Sequence, residues 1–435
     1  MSLRAPRREV AVWCLYDFAD SAFTTLIVTV TYALYFRGVV AADKGAAAST
    51  YWGLSISLSM ALVALLAPLF GAVADFAGRK KLFLGLCAGT AIVFTALLRL
   101  VGPGDIALGM ALFILANVGY EGAHVFYNGF LLEIASDREL GRVSGYGWAV
   151  GYLGGLLALG LSLPLTRDGF GPAGIDRYRW TFPLVALFHL TFALPLFLWL
   201  KERAPRRPVR FAAMVREGTT RLATTLRSVR RYPDLLRFLL AFFIYNDGVM
   251  TVISFGAIYA LNVIGFTVLQ VTLLFFVMQL TAAVGAFVAG RLVDSLGPRK
   301  TILMTLGLWC FVVLGAFLSR SVPQFFAVCV GASIGMGSTQ TASRSLMALL
   351  VPPGRSAEFF GFYGLTGKVS AIFGPLAFGA VAAFAGSERP AVLSVLPFFA
   401  IGYVLLLRVD IDRARAASGR LDAPTEVSPV AGVAS

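Results

Sequence analysis

The sequence predicts an all-α membrane protein of twelve transmembrane helices, arranged as two pseudo-symmetric bundles of six. Three observations predict it. Of the 435 residues, 58% are hydrophobic and 14% charged, against roughly 45–50% and about 25% in soluble domains. The excess recurs in apolar blocks of roughly 20 to 28 residues, and a helix needs about 20 to cross a hydrocarbon core. A basic loop motif then appears twice, once in each half. A large soluble helical protein would show polar faces at helical spacing on most helices. Stretches such as LFLGLCAGTAIVFTALL and FPLVALFHLTFALPLFLWL show almost none.

The expected spans are 10–36, 51–75, 80–100, 105–134, 141–165 and 178–200, then 235–262, 267–294, 300–319, 323–351, 358–385 and 389–407. The chain therefore divides into an N-terminal bundle (1–200), a basic connector (201–234), a C-terminal bundle (235–407) and a polar tail (408–435) expected to be disordered. Arg4, Arg7 and Arg8 precede a first block too long for a signal-peptide core and without a small-residue cleavage site, so it reads as a retained anchor. With both termini in the cytoplasm, the cytoplasmic segments hold 27 lysines and arginines and the outer loops 8, leaving aside Arg237 and Lys368. That asymmetry sets the orientation. It also explains the net charge of +14 without nucleic acid, because the basic residues sit in short segments between apolar blocks. The connector's middle, FAAMVREGTTRLATTLRSVRRY, reads either as a helix on an anionic membrane surface or as a solvated linker. Arginine outnumbers lysine 31 to 6, and alanine and glycine abound, which points to a GC-rich bacterium and its inner membrane. Cys14, Cys87, Cys310 and Cys329 are isolated in apolar segments, so neither a metal site nor a cofactor is expected.

The loop motif is GAVADFAGRKK after the second span and GRLVDSLGPRK after the eighth. Gly71, Asp75, Gly78, Lys80 and Lys81 pair with Gly290, Asp294, Gly297, Arg299 and Lys300 at a constant offset of 219. Gly145 and Gly151 pair with Gly361 and Gly367 at an offset of 216, and Tyr16-Asp17 resembles Tyr245-Asn246-Asp247. Internal symmetry of this kind marks transporters built from duplicated halves. In the motif, glycine permits a tight turn, while the aspartate can accept hydrogen bonds from a neighbouring helix N-terminus or an arginine. Gly71, Asp75, Gly78, Arg79 and Lys80, with Gly290, Asp294, Gly297 and Arg299, are thus expected to latch the halves at the cytoplasmic end. Glu133 and Arg142 near the 4–5 turn, and Arg355 and Glu358 near the 10–11 turn, are expected to be interface charges that make and break between states.

The motif resembles the signature loop of the major facilitator superfamily, with Phe76 in a slot often basic there. WCLYDFADSAFTTLIVTVTYALYF, VFYNGFLLEIASDRELGRVSGYGWAVGYLGG, FLLAFFIYNDGVMTVI and QTASRSLMALLVPPGRSAEFFGFYGLTGKVSAIFGP are similar to the autophagy-related vacuolar-effluxer branch. That branch includes fungal vacuolar amino-acid effluxers and many bacterial proteins of unassigned substrate. Asp20 stands where related sequences usually carry asparagine. The resemblance implies the major facilitator fold and export of amino acids or similar small polar solutes.

Ionisable residues inside a membrane are costly and default to function. Asp17 and Asp20 share a face of the first helix, roughly 10–15 Å from its cytoplasmic end; two carboxylates in one cavity favour proton binding by one of them. Asn246 and Asp247 hold a comparable depth in the seventh. Asn117, Tyr120, Glu121, His124 and Asn128 form a polar stripe on the fourth. Gln340 and Arg344 polarise the tenth; Arg344 either holds a substrate carboxylate or pairs with an acid such as Glu133 as a gate. Lys368, deep in the eleventh, is expected to meet an anionic substrate or to pair with Asp247 or Asp20. The expected activity is secondary transport by alternating access: proton-coupled export of a small solute by a monomer in the bilayer. A transport-inactive receptor or scaffold on the same fold is the alternative. A membrane enzyme is not expected: there is no nucleophile–base constellation, and no P-loop for ATP.

Overall fold

The computed structural model of the chain describes residues 5–45, 47–171, 174–207, 216–220, 222–224, 232–370 and 373–417. Among the described residues, twelve helices are long and apolar enough to cross a membrane. They are α1 (Arg7–Val40), α2 (Ala47–Ala77), α3 (Lys80–Leu100), α4 (Ile106–Ile134), α5 (Leu140–Thr166) and α6 (Gly174–Trp199) in the first half. The second half holds α7 (Pro233–Ile264), α8 (Val268–Leu296), α9 (Pro298–Leu318), α10 (Val322–Leu350), α11 (Ser356–Ala385) and α12 (Glu388–Leu407). The expected spans agree within a few residues. Large apolar side chains such as Leu65, Phe311, Leu318 and Phe384 stand outward. In water these would be adhesive patches; in a bilayer they meet hydrocarbon.

Two elements are less regular than the hydropathy suggests. Past Asp20, α1 widens to π-helical geometry over Phe23–Val30 and again over Phe36–Val40, a local form frequent at functional sites. Within α11 the described residues form two α-helical stretches, Ser356–Val369 and Phe373–Ala385; residues 371–372 lie outside the described residues.

The halves meet through two equivalent helix pairs, α5 on α8 and α11 on α2. Glycine makes both approaches possible. A methyl group on Gly141 would sit 2.5 Å from the Gly290 carbonyl oxygen, and one on Gly71 would sit 2.5 Å from that of Ala357. Gly145 faces Ala286 as Gly361 faces Ala67. Residues 71 and 290, like 67 and 286, differ by 219, and residues 141 and 357, like 145 and 361, by 216. The sequence repeat is thus a repeat of contacts. Small residues at such crossings let backbones touch where lipid supplies no hydrophobic drive.

The connector begins as an ordered strap. Arg203 donates from its backbone N–H to Glu133 (2.8 Å) and from its guanidinium to Glu9 (2.8 Å). The Arg207 guanidinium lies 4.8 Å from the centre of the Phe76 ring, so the connector supplies a cation beside the apolar motif slot. Residues 216–220 and 222–224 are helical; the rest of the expected surface helix (211–215, 221 and 225–231) lies outside the described residues. The tail expected to be disordered from residue 408 instead starts with a short helix, α13 (Ile411–Ala417). Asp410 accepts from the N–H groups of Asp412 and Arg413 at 3.0 Å, and Arg413 binds Asp234 at the start of α7 through two bonds of 2.6 and 2.5 Å. Residues 418–435 lie outside the described residues.

Candidate functional site

At the basic end, the end carrying the repeated loops, each motif aspartate caps a helix of the opposite half. Asp75 accepts from the Glu358 N–H at the start of α11 (2.9 Å). Asp294 accepts from the N–H groups of Gly141 and Arg142 at the start of α5 (2.8 and 3.3 Å) and from Arg142 Nε (2.8 Å). Carboxylates at helix N-termini satisfy orphan donors and meet the positive end of the helix dipole. The cations differ between the two latches. Lys80 donates to Ser356 Oγ across the halves (3.0 Å) and pairs with Glu133 of its own half. Arg299, its repeat equivalent, instead donates to the carbonyls of Leu406 and Leu407 at the end of α12. Arg142 also pairs with Glu139 (3.2 Å). Arg79 is exposed before α3, and Arg355 stands at the start of α11. Gly78 and Gly297 turn with φ of +63° and +87°, values that glycine alone adopts readily.

Above the latches two ion pairs bridge the halves. Arg344 Nη1 of α10 lies 3.2 Å from Asp17 Oδ2 of α1. The same guanidinium donates to Ser144 Oγ (2.9 Å) and the Ser144 carbonyl (2.6 Å) on α5, and Nη1 reaches Asn128 Oδ1 at 3.5 Å. Trp13 and Trp148 lie over it, with ring centres 4.9 and 5.1 Å away. The expected Arg344–Glu133 gate is therefore corrected: Glu133 is held by Lys80 and Arg203, and Asp17 takes Arg344. The second pair is Lys368 Nζ of α11 with Glu121 Oε1 of α4, at 2.6 Å. This corrects the expectation that Lys368 meets Asp247 or Asp20. The Lys368 side chain is 42% exposed, so the pair borders open space and is reachable, whereas Arg344, at 3%, is sealed.

Asp247 does not join these pairs. Its carboxylate accepts from the N–H groups of Phe373 (3.1 Å) and Gly374 (2.9 Å), capping the second stretch of α11 within its own half. Asn246 donates to the Gly367 carbonyl (3.1 Å) and to Ser370 Oγ (2.7 Å) at the end of the first stretch of α11. Gln340 is half-buried one turn before Arg344. Asn117 turns to Ser59 of α2 (2.7 Å).

Asp20 faces into the first half. His124 Nε2 is 3.1 Å from its Oδ2, and His189 Nε2 of α6 is 3.7 Å from its Oδ1. Sequence reasoning missed His189, Ser144 and Trp13. His189 sits in a block with no other ionisable residue, and that isolation was the available signal. Among the described residues no group of three or more His, Cys, Asp or Glu side chains is placed to hold a metal ion.

The fold and these pairs frame the comparisons with known proteins. The family described as vacuole effluxer Atg22-like matches residues 39–419. An uncharacterized MFS-type transporter of Bacillus subtilis (strain 168), YxiO, is 29% identical over 91% of this chain and 93% of its own. Autophagy-related protein 22-1 of Penicillium rubens is 26% identical over 63% of this chain, which spans about half (50%) of that longer protein. Among solved structures, the human organic anion transporter MFSD10 superposes with a TM-score of 0.74 at 20% identity, covering 92% of this chain and 100% of its own. The chain belongs to the vacuole effluxer Atg22-like family of major facilitator transporters.

Proposed function

We propose that this transporter is a proton-coupled exporter of small zwitterionic solutes, amino acids foremost, in a bacterial inner membrane. The observation that carries this reading is the Glu121–Lys368 pair, one charge from each half, 2.6 Å apart and open to its surroundings. Alternating access separates the halves around a central site. Parting this pair leaves the buried Glu121 carboxylate without its partner, while Lys368, 42% exposed, keeps contact with open space. A solute carrying both a carboxylate and an ammonium group replaces both partners at once: the carboxylate meets Lys368 and the ammonium meets Glu121. The resemblance to fungal vacuolar amino-acid effluxers supports the same solute class.

In this reading the basic end faces the cytoplasm with both termini, as the loop charges favour. Residues 1–200 and 235–407 are the two rocking units, 201–234 is the strap between them, and the protein works as a monomer. The latches then close the cytoplasmic mouth, and export proceeds by release from the opposite end.

Metabolite profiling of a deletion strain against an overexpressor tests solute and direction together. The deletion should accumulate, and the overexpressor lose, the same amino acids. Purified protein in liposomes should move those amino acids under an imposed pH gradient, and Glu121→Gln should lose that dependence. No movement of any member of an amino-acid panel, with Glu121→Gln indistinguishable from wild type in cells, would sink the proposal in favour of a receptor or scaffold.

A further inference from the structure

The chain has two histidines. They lie on different helices, and both turn Nε2 toward one carboxylate, Asp20. Among the described residues these imidazoles are the only bases within ion-pair distance of Asp20. Asp20 and His189 side chains are each 2% exposed, but His124 is 25% exposed. The cluster is therefore closed on one side and has one door.

Hydrogen-bond chemistry fixes how many protons it holds. His124 Nδ1 lies 3.3 Å from the Tyr120 carbonyl oxygen, which only accepts, so this contact is a hydrogen bond in the tautomer with hydrogen on Nδ1. In a neutral ring Nε2 is then an acceptor. It faces a carboxylate oxygen, a second acceptor, at 3.1 Å. Two acceptors at that distance need a proton between them. The charge count agrees. One carboxylate and two neutral imidazoles total −1, and a single added proton brings the buried cluster to zero, the least costly state in a low-dielectric interior. Asp20 Oδ1 and His189 Nε2 have no hydrogen-bond partner among the described residues, which leaves a second seat for the same proton.

The surrounding charges give the proton something to act on. Asp17 and Tyr16 neighbour the cluster from α1, Tyr120 and Glu121 from α4, and Lys368 from α11, with Arg344 of α10 beyond Asp17. Asp17 and Glu121 are the acids of the two inter-half pairs. An unloaded, negative cluster beside them adds to their pull on Arg344 and Lys368. A loaded, neutral one removes that addition.

We propose that Asp20, His124 and His189 form the proton-carrying site of this transporter, loaded through His124, and that loading loosens both ion pairs that join the halves. The proposal rests on proton coupling as read above. With only two histidines, protein labelled with 13C,15N-histidine in lipid nanodiscs yields two resolvable imidazoles. The proposal expects both to titrate with a common midpoint, and Asp20→Asn to move the His124 midpoint by about one pH unit or more, a tenfold change in proton affinity. Asparagine matches aspartate in size and keeps a hydrogen-bonding oxygen, so this variant is expected to fold; His189→Gln, expected to shift the same midpoint, is the second variant. Independent midpoints, untouched by either substitution, overturn the site. A second arm uses liposomes with a pH-sensitive dye and the amino-acid panel. Wild type should move protons with solute, while Asp20→Asn should move solute without them. If wild type is coupled and Asp20→Asn equally so, the site assignment fails while coupling stands. If wild type moves solute without protons, the coupling reading itself fails, whatever the imidazoles do.

Discussion

At the scale of residues, the two bridging pairs are built for different work. Arg344 is walled by Trp13 and Trp148 and donates to Asp17 and twice to Ser144. A planar fork satisfies that geometry and an ammonium does not. Arg344→Lys should therefore cost about 2–3 kcal/mol of thermal stability, the worth of charge-assisted hydrogen bonds lost in a buried place, read as a lower unfolding temperature in detergent. Glu121–Lys368 has no such cage. Lys368→Met should lower the unfolding temperature because the buried Glu121 is left uncompensated, and adding Glu121→Leu should restore most of the loss. That restoration, with transport still absent, would show that the pair is kept for handling charge and not for holding the fold. A double variant no more stable than Lys368→Met would refute it.

At the scale of elements, α11 shows what the sequence made legible and what it hid. Period and hydropathy placed Asn246, Asp247 and Lys368 on helices long and apolar enough to cross a membrane. They could not show that the N–H groups of Phe373 and Gly374 need an acceptor, and that need decides the partners. The first N–H groups of a helical stretch have no partner within it, and in a medium without water a carboxylate answers them. Asp247 is spent on Phe373 and Gly374, which leaves Lys368 to the other half. The same blindness hid the Asp17–Arg344 pair, because residues 327 apart meet only after both halves fold. Asp247→Asn tests the cap. Both carboxylate oxygens accept here, and an amide would turn a donor toward one of the two N–H groups. The expected cost is about 1–3 kcal/mol, seen as faster hydrogen exchange across 373–385, with proton coupling intact. Loss of coupling with unchanged exchange would return Asp247 to the transport path.

At the scale of the whole molecule, the repeat is the feature the sequence displayed best, and the structure turns it into an energetic statement. Offsets of 219 and 216 were readable in Gly71, Asp75 and Gly145 and their counterparts because turns and close crossings restrict residue choice. What could not be read is that each aspartate caps the opposite half: Asp75 on Glu358, Asp294 on Gly141 and Arg142. Both latches hold one end of one rigid-body motion, so breaking either must push the same equilibrium the same way. Removing one charge-assisted cap is worth about 1–3 kcal/mol, a shift of roughly 5- to 150-fold in favour of the form open at the basic end. Asp75→Asn and Asp294→Asn should each lengthen the distance between spin labels at the exposed positions 138 and 295, measured by pulsed dipolar spectroscopy. Gly145→Leu and Gly361→Leu, which wedge the two crossings apart, should do so too. The Asp294 variant should act more strongly, since the carboxylate it neutralises accepts three bonds, one of them from a guanidinium. Opposite shifts from Asp75→Asn and Asp294→Asn would show that the halves do not move as two rigid units, and the alternating-access geometry would have to be abandoned.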